Sequence, residues 1–273
     1  MINYIRIELD RAFRNKKMAM AIFIGCMISI LQIAFEVIPV LKYQDYSDFK
    51  SFPHTSFEHY MGLKNGSMFG LYYYLLIPIL AAFPYAVTAY TDKKTGYLKS
   101  IFTRIGKKEY YVAKYVVTFL SGGVIAVLPQ VINFMGVSVL LPSIQPYTGL
   151  GYVGLLPEAM WGKLFYSNAI IYIVLYWIFD FILYGLINTL AVAVMWFIQN
   201  QFVLLLFPFL YVKGMDLFME VIHQPGLIPS VFLRPNQAYT SEHMVLGRSM
   251  FIVGLLGIDI ISGIYGIWKK DNI

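Results

Sequence analysis

Several stretches of this chain run for about 20 residues with almost no charge, the length an α-helix needs to cross the hydrocarbon core of a bilayer. The run from Phe165 to Val194 carries Asp180 as its only charged residue. A segment in lipid must satisfy its own backbone N–H and C=O groups, so such runs can only be helices here. A soluble fold is excluded on the same ground: 59% of the residues are hydrophobic and 13% charged, against about 25% charged in average globular chains. The expectation is an all-α polytopic membrane protein.

The apolar runs predict six transmembrane helices, at about 18–40, 69–91, 110–141, 165–194, 202–217 and 249–268, in a single transmembrane domain over residues 1–273. The first would rise about 35 Å, enough to cross. Pro78 and Pro84 predict a kinked or broken second span, and Pro129 a kink in the third. That third run would reach about 48 Å, so its first turns should stand outside the membrane. Residues 2–17 predict an amphipathic helix with Ile2, Ile5, Leu9, Ala12 and Phe13 on one face and Arg6, Asp10, Arg14 and Lys17 on the other. It either lies along the inner membrane surface or extends the first span.

Charge gives the orientation. Of the 21 Lys and Arg, most lie before the first span, between the second and third, or after the last (Lys269, Lys270). The others, Lys42, Lys50, Lys64, Lys163, Lys213, Arg234 and Arg248, are spread over longer segments. This is a positive-inside pattern that puts both termini in the cytoplasm. The turn at Gln199–Gln201 has no basic residue and takes its inner placement from alternation alone. Nucleic acid is not an expected partner, because the charges flank spans and form no basic domain. The first outer segment (about 41–68) is polar and aromatic, with Tyr43, Tyr46, Phe49, Phe52, Phe57 and Tyr60. The second (142–164) is rich in Gly and Pro. The third (about 218–248) holds Pro225, Pro229 and Pro235 yet stays apolar, which fits a re-entrant or interfacial pair of short helices. The 18–40 run is too long for a secretory signal and has no cleavage site after it.

Catalytic chemistry finds little support. His54, His59, His223 and His243 all fall in outer segments, without a recognised metal-ligand spacing such as H-E-x-x-H. Neither a catalytic nor a metal site is expected. Cys26 stands alone and can form neither an internal disulfide nor a cysteine metal site. The run Gly149–Gly154 matches G-x-G-x-x-G outside any βαβ context, and Asn65-Gly66-Ser67 is a short sequon; both are chance matches. Gly62, Gly66 and Gly70, four apart, fit either a close helix approach or a glycine loop. No phosphate-binding loop is present, so no cofactor is expected on this chain. Asp180 and Asp259 fall at mid-span, where a charge costs at least a few kcal/mol unless it finds water or a partner. They mark either a polar pathway or structural aspartates. Gln130, Asn133 and Asn188 carry the same signal more weakly, as interhelical hydrogen-bonding groups.

The segment from Asp92 to Lys114 holds Lys93, Lys94, Lys99, Arg104, Lys107, Lys108 and Lys114, opposed by Asp92 and Glu109. Within it Tyr97, Leu98, Ile101, Phe102 and Ile105 recur at helical spacing. The expectation is a short helix offering an apolar stripe to a soluble partner, with Lys99 and Arg104 beside it.

These residues carry a family resemblance over nearly the whole chain. The N-terminal surface helix, the charged loop at 92–109, six spans and a re-entrant segment before the last resemble the permease subunit of bacterial ABC-2-type transporters, the type V exporter fold. The run Thr95–Arg104, followed by Lys107-Lys108-Glu109-Tyr110 and Lys114, is similar to that family's coupling-helix pattern. Phe83-Pro84-Tyr85 resembles small Firmicutes six-span permeases. The resemblance implies that Tyr97, Leu98, Lys99, Ile101, Phe102 and Arg104 dock on an ATPase subunit. ATP and Mg would be bound by that partner, in two copies, with a second permease chain, identical or not, in the bacterial cell membrane. It implies export of an amphipathic substrate, a peptide or antimicrobial peptide. Alternatives are a non-transporting sensor or scaffold docked to the same ATPase, and a drug or lipid exporter.

Overall fold

The computed structural model describes residues 2–42, 54–146, 155–236 and 241–268. Tyr43, Tyr46, Phe49, Phe52, the 149–154 glycine run, Lys269, Lys270 and the side chain of His243 lie outside the described residues, so the expectations placed on them stay as stated. Among the described residues the chain is helical, with no strand. Helix α1 (Ile2–Phe13) precedes α2 (Lys16–Gln32), which runs through a π-helical segment (Ile33–Val37) into α3 (Ile38–Lys42). Short α4 (Ser56–His59) leads to α5 (Met68–Ala82), α6 (Thr88–Lys94) and α7 (Tyr97–Phe102). The longest helix, α8 (Lys107–Leu140), is followed by α9 (Gly162–Ser167), α10 (Ala169–Ala193), α11 (Gln201–Val221), α12 (Pro229–Phe232) and α13 (Ser241–Trp268).

Among the described residues, five segments are long and apolar enough to cross a membrane: Lys16–Leu41, Lys107–Leu140, Ala169–Trp196, Gln201–Val221 and Met244–Trp268. The chain is an all-α protein of multi-pass membrane architecture. Its outward surface agrees, since Phe23, Val139, Val253 and Ile261 are exposed on these helices, where a soluble bundle would show charge.

The expected second span departs from a continuous crossing. Helix α5 has 15 residues, about 22 Å of rise, and gives way to a turn at 83–87 before α6. Pro84 sits in this break and Pro78 inside α5. Asn15, whose side chain also caps α2 by accepting from Lys17 N at 3.0 Å, donates to Pro84 O at 3.3 Å. The break is thereby fastened to the α1–α2 junction. Pro129 lies within an uninterrupted α8, and its carbonyl accepts from Ser29 Oγ at 2.9 Å.

Other boundaries move. α8 has 34 residues, about 51 Å. Asn168 caps α10 by accepting from Ile171 N at 3.1 Å and separates it from α9. α11 extends to Val221, so Lys213 belongs to a helix, where it meets Asp216 at 2.8 Å. Asp216 in turn accepts from Ser230 N at 2.9 Å and so caps the start of α12. A 3-10 turn (Pro225–Leu227) and α12 are two short helical segments before the last long helix. α13 begins at Ser241, so Arg248 is helical, and it is buried.

α8 and α10 are the centre of the bundle, with α2 and α5 against α8, α11 against α5, and α13 against α10. One end carries α1, α6, α7 and the Gln199–Gln201 turn; we refer to it as the basic end. Tyr90 donates to Gln199 O, and Lys93 stands 4.5 Å over the Trp196 ring. These contacts give that turn a position beyond its place in the alternation of spans. The opposite end carries α4, α9 and α12.

Candidate functional site

At the basic end the short helix α7 forms where expected, entered through Gly96 at φ +75°, a left-handed conformation that glycine adopts without strain. Its orientation corrects the expectation of a free apolar stripe. Leu98 and Ile101 are buried, with Phe102 and Ile105 packed beside them, in a cluster with Tyr4, Val87, Tyr110 and Leu204. Six residues cannot bury an apolar face among themselves, so the face closes on the nearest apolar surface, which is the chain's own. Tyr97, Lys99 and Arg104 remain exposed, with Lys94 and Lys108 nearby. The surface presented to solvent is basic.

Helix α1 is turned similarly. Tyr4, Glu8 and Ala12 are buried, one turn apart, while Ile2, Ile7 and Phe13 are exposed. Of the expected apolar face, Ala12 is buried, Ile5 and Leu9 pack at the margin of the core, and Ile2 and Phe13 are exposed. A carboxylate, Glu8, is therefore the inward residue of an amphipathic helix, and it needs a partner.

Its partner is Lys114, fully buried one helical turn beyond Tyr110 on α8. Lys114 Nζ lies 2.9 Å from Glu8 Oε2 and 2.8 Å from Asp92 Oδ2. Arg11 holds Asp92 in a two-pronged contact, Nη1 to Oδ2 at 3.1 Å and Nη2 to Oδ1 at 2.7 Å, the fork geometry that suits guanidinium and carboxylate. Three tyrosines complete the shell. Tyr4 donates to Glu8 Oε1 at 2.7 Å, Tyr85 donates to Glu8 Oε2, and Tyr110 donates to Asp92 Oδ2 at 2.9 Å. The Lys114 ammonium also sits 4.9 Å from the Tyr85 ring centroid and 5.4 Å from that of Tyr110.

Two acids and two bases cancel, which lets Glu8, Asp92 and Lys114 lie away from water while Arg11 stays partly exposed. It ties α1 (Glu8, Arg11), the break after α5 (Tyr85), α6 (Asp92) and α8 (Tyr110, Lys114) into one unit. Arg11 reaches α7 as well, stacking 5.6 Å over the Tyr97 ring. Sequence reasoning missed this site. Glu8 and Lys114 are 106 residues apart and Arg11 and Asp92 are 81 apart, and each alone resembles an ordinary interfacial charge.

Burial alone would raise the Glu8 and Asp92 carboxyls. For Glu8, the Lys114 charge and the hydrogen bonds from Lys114, Tyr85 and Tyr4 outweigh it; for Asp92, the Arg11 contacts and Lys114 do so. Both stay below their ordinary range. Carboxylates with folded values below their unfolded ones stabilise the fold above the unfolded pKa, about 4.3 for Glu and 3.9 for Asp. That stability is lost as pH falls through the lower folded values. Docking of α1 should thus hold from neutral pH down to about 4 and loosen below. A spin-label distance between α1 and α8, followed from pH 7 to pH 3, tests this: release with a midpoint above pH ~5 contradicts an ionised cluster.

The mid-span polar residues are divided among separate contacts. Gln130 and Asp180 meet, Nε2 donating to Oδ2 at 2.7 Å, and Gln130 Oε1 accepts from Tyr60 at 2.7 Å and Tyr74 at 3.2 Å. The other Asp180 oxygen, Oδ1, is buried without a hydrogen-bond partner among the described residues. Asn133 donates to Gln32 Oε1 at 2.9 Å and Ser29 O at 3.2 Å, and accepts from Met61 N at 3.0 Å. Asn188 donates to Thr118 O at 2.8 Å. Asp259 is elsewhere, accepting from Thr189 Oγ1 at 2.5 Å. Asp180 and Asp259 do not share a contact set. Gln130, Asn133 and Asn188 each make a hydrogen bond between helices.

The opposite end adds features that sequence spacing did not reveal. Glu36, within the π-helical segment, meets Lys64 at 3.2 Å. An open pocket of about 350 Å³ lies beside it, lined by Lys64, Ser67, Met68, Leu71, Tyr74 and Arg234. Gly66, at φ +71°, belongs to the turn at its rim, and a β-carbon at Gly70 would meet Met61 O at 2.8 Å. The glycine run is a loop against a helix start and not a helix–helix contact. Arg248 donates to Phe232 O at 2.8 Å through Nε and to the Tyr176 hydroxyl at 3.0 Å, with its guanidinium 4.9 Å from the Phe179 ring centroid. His54, Glu58 and His59 also converge, although their spacing in the sequence matches no recognised metal-ligand motif. His59 is held neutral by burial, with the nearby Lys64 and His54 acting in the same direction, its pKa lowered to about 4.

No protein-family model matches the chain, and neither a curated protein nor a solved structure is significantly similar to it.

Proposed function

We propose that this chain is the membrane permease subunit of an ATP-driven exporter of the ABC-2 type. It would act in a bacterial cell membrane with two ATPase subunits that bind ATP and Mg, and with a second permease chain. In this reading the five long helices and the broken α5–α6 unit make six crossings, and the basic end with both termini faces the cytoplasm.

The observation that carries the reading is the mounting of α7. Lys99 on its outer side and Arg104 just past its end are exposed, while its inner side packs with Tyr4 and Tyr110 and Tyr97 lies under Arg11, which joins it to the partly exposed Arg11 and the buried Glu8, Asp92 and Lys114. A displacement imposed on α7 by a soluble partner would pass through that cluster into α8, whose 34 residues run the height of the bundle. Docking is through the basic face, with Tyr97 at its edge; Leu98, Ile101 and Phe102 shape and hold the helix. An acidic rim around a cleft on the ATPase is the complementary surface.

The substrate would be amphipathic, of the peptide or antimicrobial-peptide class. The pocket supports this, setting Lys64, paired with Glu36, and Arg234 next to Met68, Leu71 and Tyr74, a mixed polar and apolar lining suited to an amphipathic molecule.

Charge reversal at the docking face tests the assignment. The tagged chain, purified from its native membranes, should carry ATPase activity. The variant Lys99→Glu/Arg104→Glu should lose at least about tenfold of it (1.4 kcal/mol or more in docking free energy) with its melting temperature unchanged. Purified wild type without ATPase activity, or a variant that retains it, overturns the proposal.

A further inference from the structure

The connection between α3 and α5 contains a six-residue stretch, His54 to His59, whose chemistry the exporter reading leaves unused. Thr55 caps α4, accepting from Glu58 N at 3.3 Å. This places Glu58 at the third helical position, as in a capping box, and brings His54, just before the cap, back alongside the helix. Three ligand-type atoms then face one another. His54 Nδ1 is 3.5 Å from Glu58 Oε2, His59 Nε2 is 3.9 Å from that same oxygen, and the two nitrogens are 3.1 Å apart.

A triangle with these edges has one notable property. A single point lies about 2.1 Å from all three corners, which is the length of zinc–nitrogen and zinc–oxygen bonds. Two ligands at tetrahedral angles around such an ion stand about 3.3 Å apart, inside the observed range of edges. The alternative occupant of the space is a shared proton, which accounts for the short nitrogen–nitrogen distance and leaves the carboxylate at 3.5 and 3.9 Å, too far for a hydrogen bond of normal strength.

The geometry points to a divalent transition-metal site, of the zinc class, formed by His54 Nδ1, Glu58 Oε2 and His59 Nε2. Two imidazoles and one carboxylate suit zinc and its borderline neighbours better than calcium or magnesium, which take oxygen shells. Three protein ligands leave a position open. The site is reached by solvent on its His54 side, where the side chain is 40% exposed against 6% for His59. The ion can therefore load from solvent. The site is also anchored inward, since the His59 carbonyl accepts from Gln32 Nε2 at 3.0 Å and Gln32 accepts from Asn133. A bound ion would pin α4 to α2 and α8 through that chain of contacts.

Untagged protein in chelator-treated detergent solution, titrated with cobalt(II) and then zinc(II), tests the assignment. The expected result is one equivalent of cobalt with a visible ligand-field spectrum, displaced by zinc, and a rise in melting temperature with zinc. His54→Ala and Glu58→Ala each should weaken binding at least about tenfold and abolish the zinc-dependent rise, while melting like wild type in the absence of metal. Both residues are on the outer side of the site, so these variants avoid disturbing buried His59. No spectral change with cobalt overturns the assignment, and so does binding that both variants retain.

Discussion

Replacing Lys114 with methionine is expected to destabilise the protein by about 3–5 kcal/mol, the cost of leaving buried charge without its counter-ion. Lys114 touches two carboxylates at once, at 2.9 and 2.8 Å. Methionine is close in volume and leaves no large cavity, so the loss reports charge more than packing. The two acids fare differently. Asp92 keeps its paired contact with Arg11 and its bond from Tyr110. Glu8 keeps only the bonds from Tyr4 and Tyr85 and a weaker approach of Arg11 at 3.6 Å. Glu8 is thus the group left uncompensated, and Lys114→Met/Glu8→Gln should recover more than half of the stability lost. Thermal unfolding in detergent measures all the variants, and the double-mutant cycle isolates the coupling. A single variant within about 1 kcal/mol of wild type would show that Lys114 is not the keystone charge. A double variant no better than the single one would show that its loss is not electrostatic. In the exporter reading the same substitution uncouples α7 from α8, so transport should fall while ATPase docking survives.

The contrast between Glu8 and Asp180 shows where sequence reading reached and where it stopped. Asp180 was legible, because a lone carboxylate in a long apolar run is conspicuous, and Gln130 stood out for the same reason. That they meet each other needed the fold. Glu8 was illegible because a surface-lying amphipathic helix is expected to carry charges, and nothing local marks which one turns inward. The helix Tyr97–Phe102 was readable from its spacing, as was the break near Pro84 from the lost backbone donor. The direction of the α7 stripe was not readable. Periodicity says which residues share a face and is silent on what that face meets. His54, Glu58 and His59 follow no established ligand spacing, and only the turn at Thr55 brings the first of them back to the other two. The π-helical segment at Ile33–Val37 has no local signature either, since its residues are ordinary helix and strand formers. The long apolar helices were the most legible part because lipid leaves the backbone so few alternatives.

The second large effect is expected at the crossing of α8 and α10, where three glycines let the two central helices touch. A β-carbon at Gly185 would stand 2.7 Å from the Phe119 ring and 2.9 Å from its carbonyl oxygen; one at Gly122 would stand 2.7 Å from Asn188, and one at Gly123 2.7 Å from the Phe181 ring. Between membrane helices such small residues supply close packing where no hydrophobic driving force remains. A side chain at Gly185 cannot be met by rotating a neighbour alone, because one of the blocking atoms belongs to the α8 backbone. Gly185→Leu should force the helices apart and cost about 3 kcal/mol or more, at the upper end of overpacking effects. The separation would also stretch the Asn188 bond to Thr118 O and the Gln130 bond to Asp180, each worth roughly 0.6 kcal/mol or more in a membrane bundle. Gly254→Ala and Gly257→Ala on α13 are the controls. Nothing lies within 4 Å of a β-carbon at either position, so the gain of up to about 1 kcal/mol in helix propensity should leave them as stable as wild type or slightly more so. Melting of the three variants in the same detergent separates the cases. If Gly185→Leu melts with the controls, α8 and α10 do not form the rigid centre on which the polar contacts of Gln130, Asp180 and Asn188 depend.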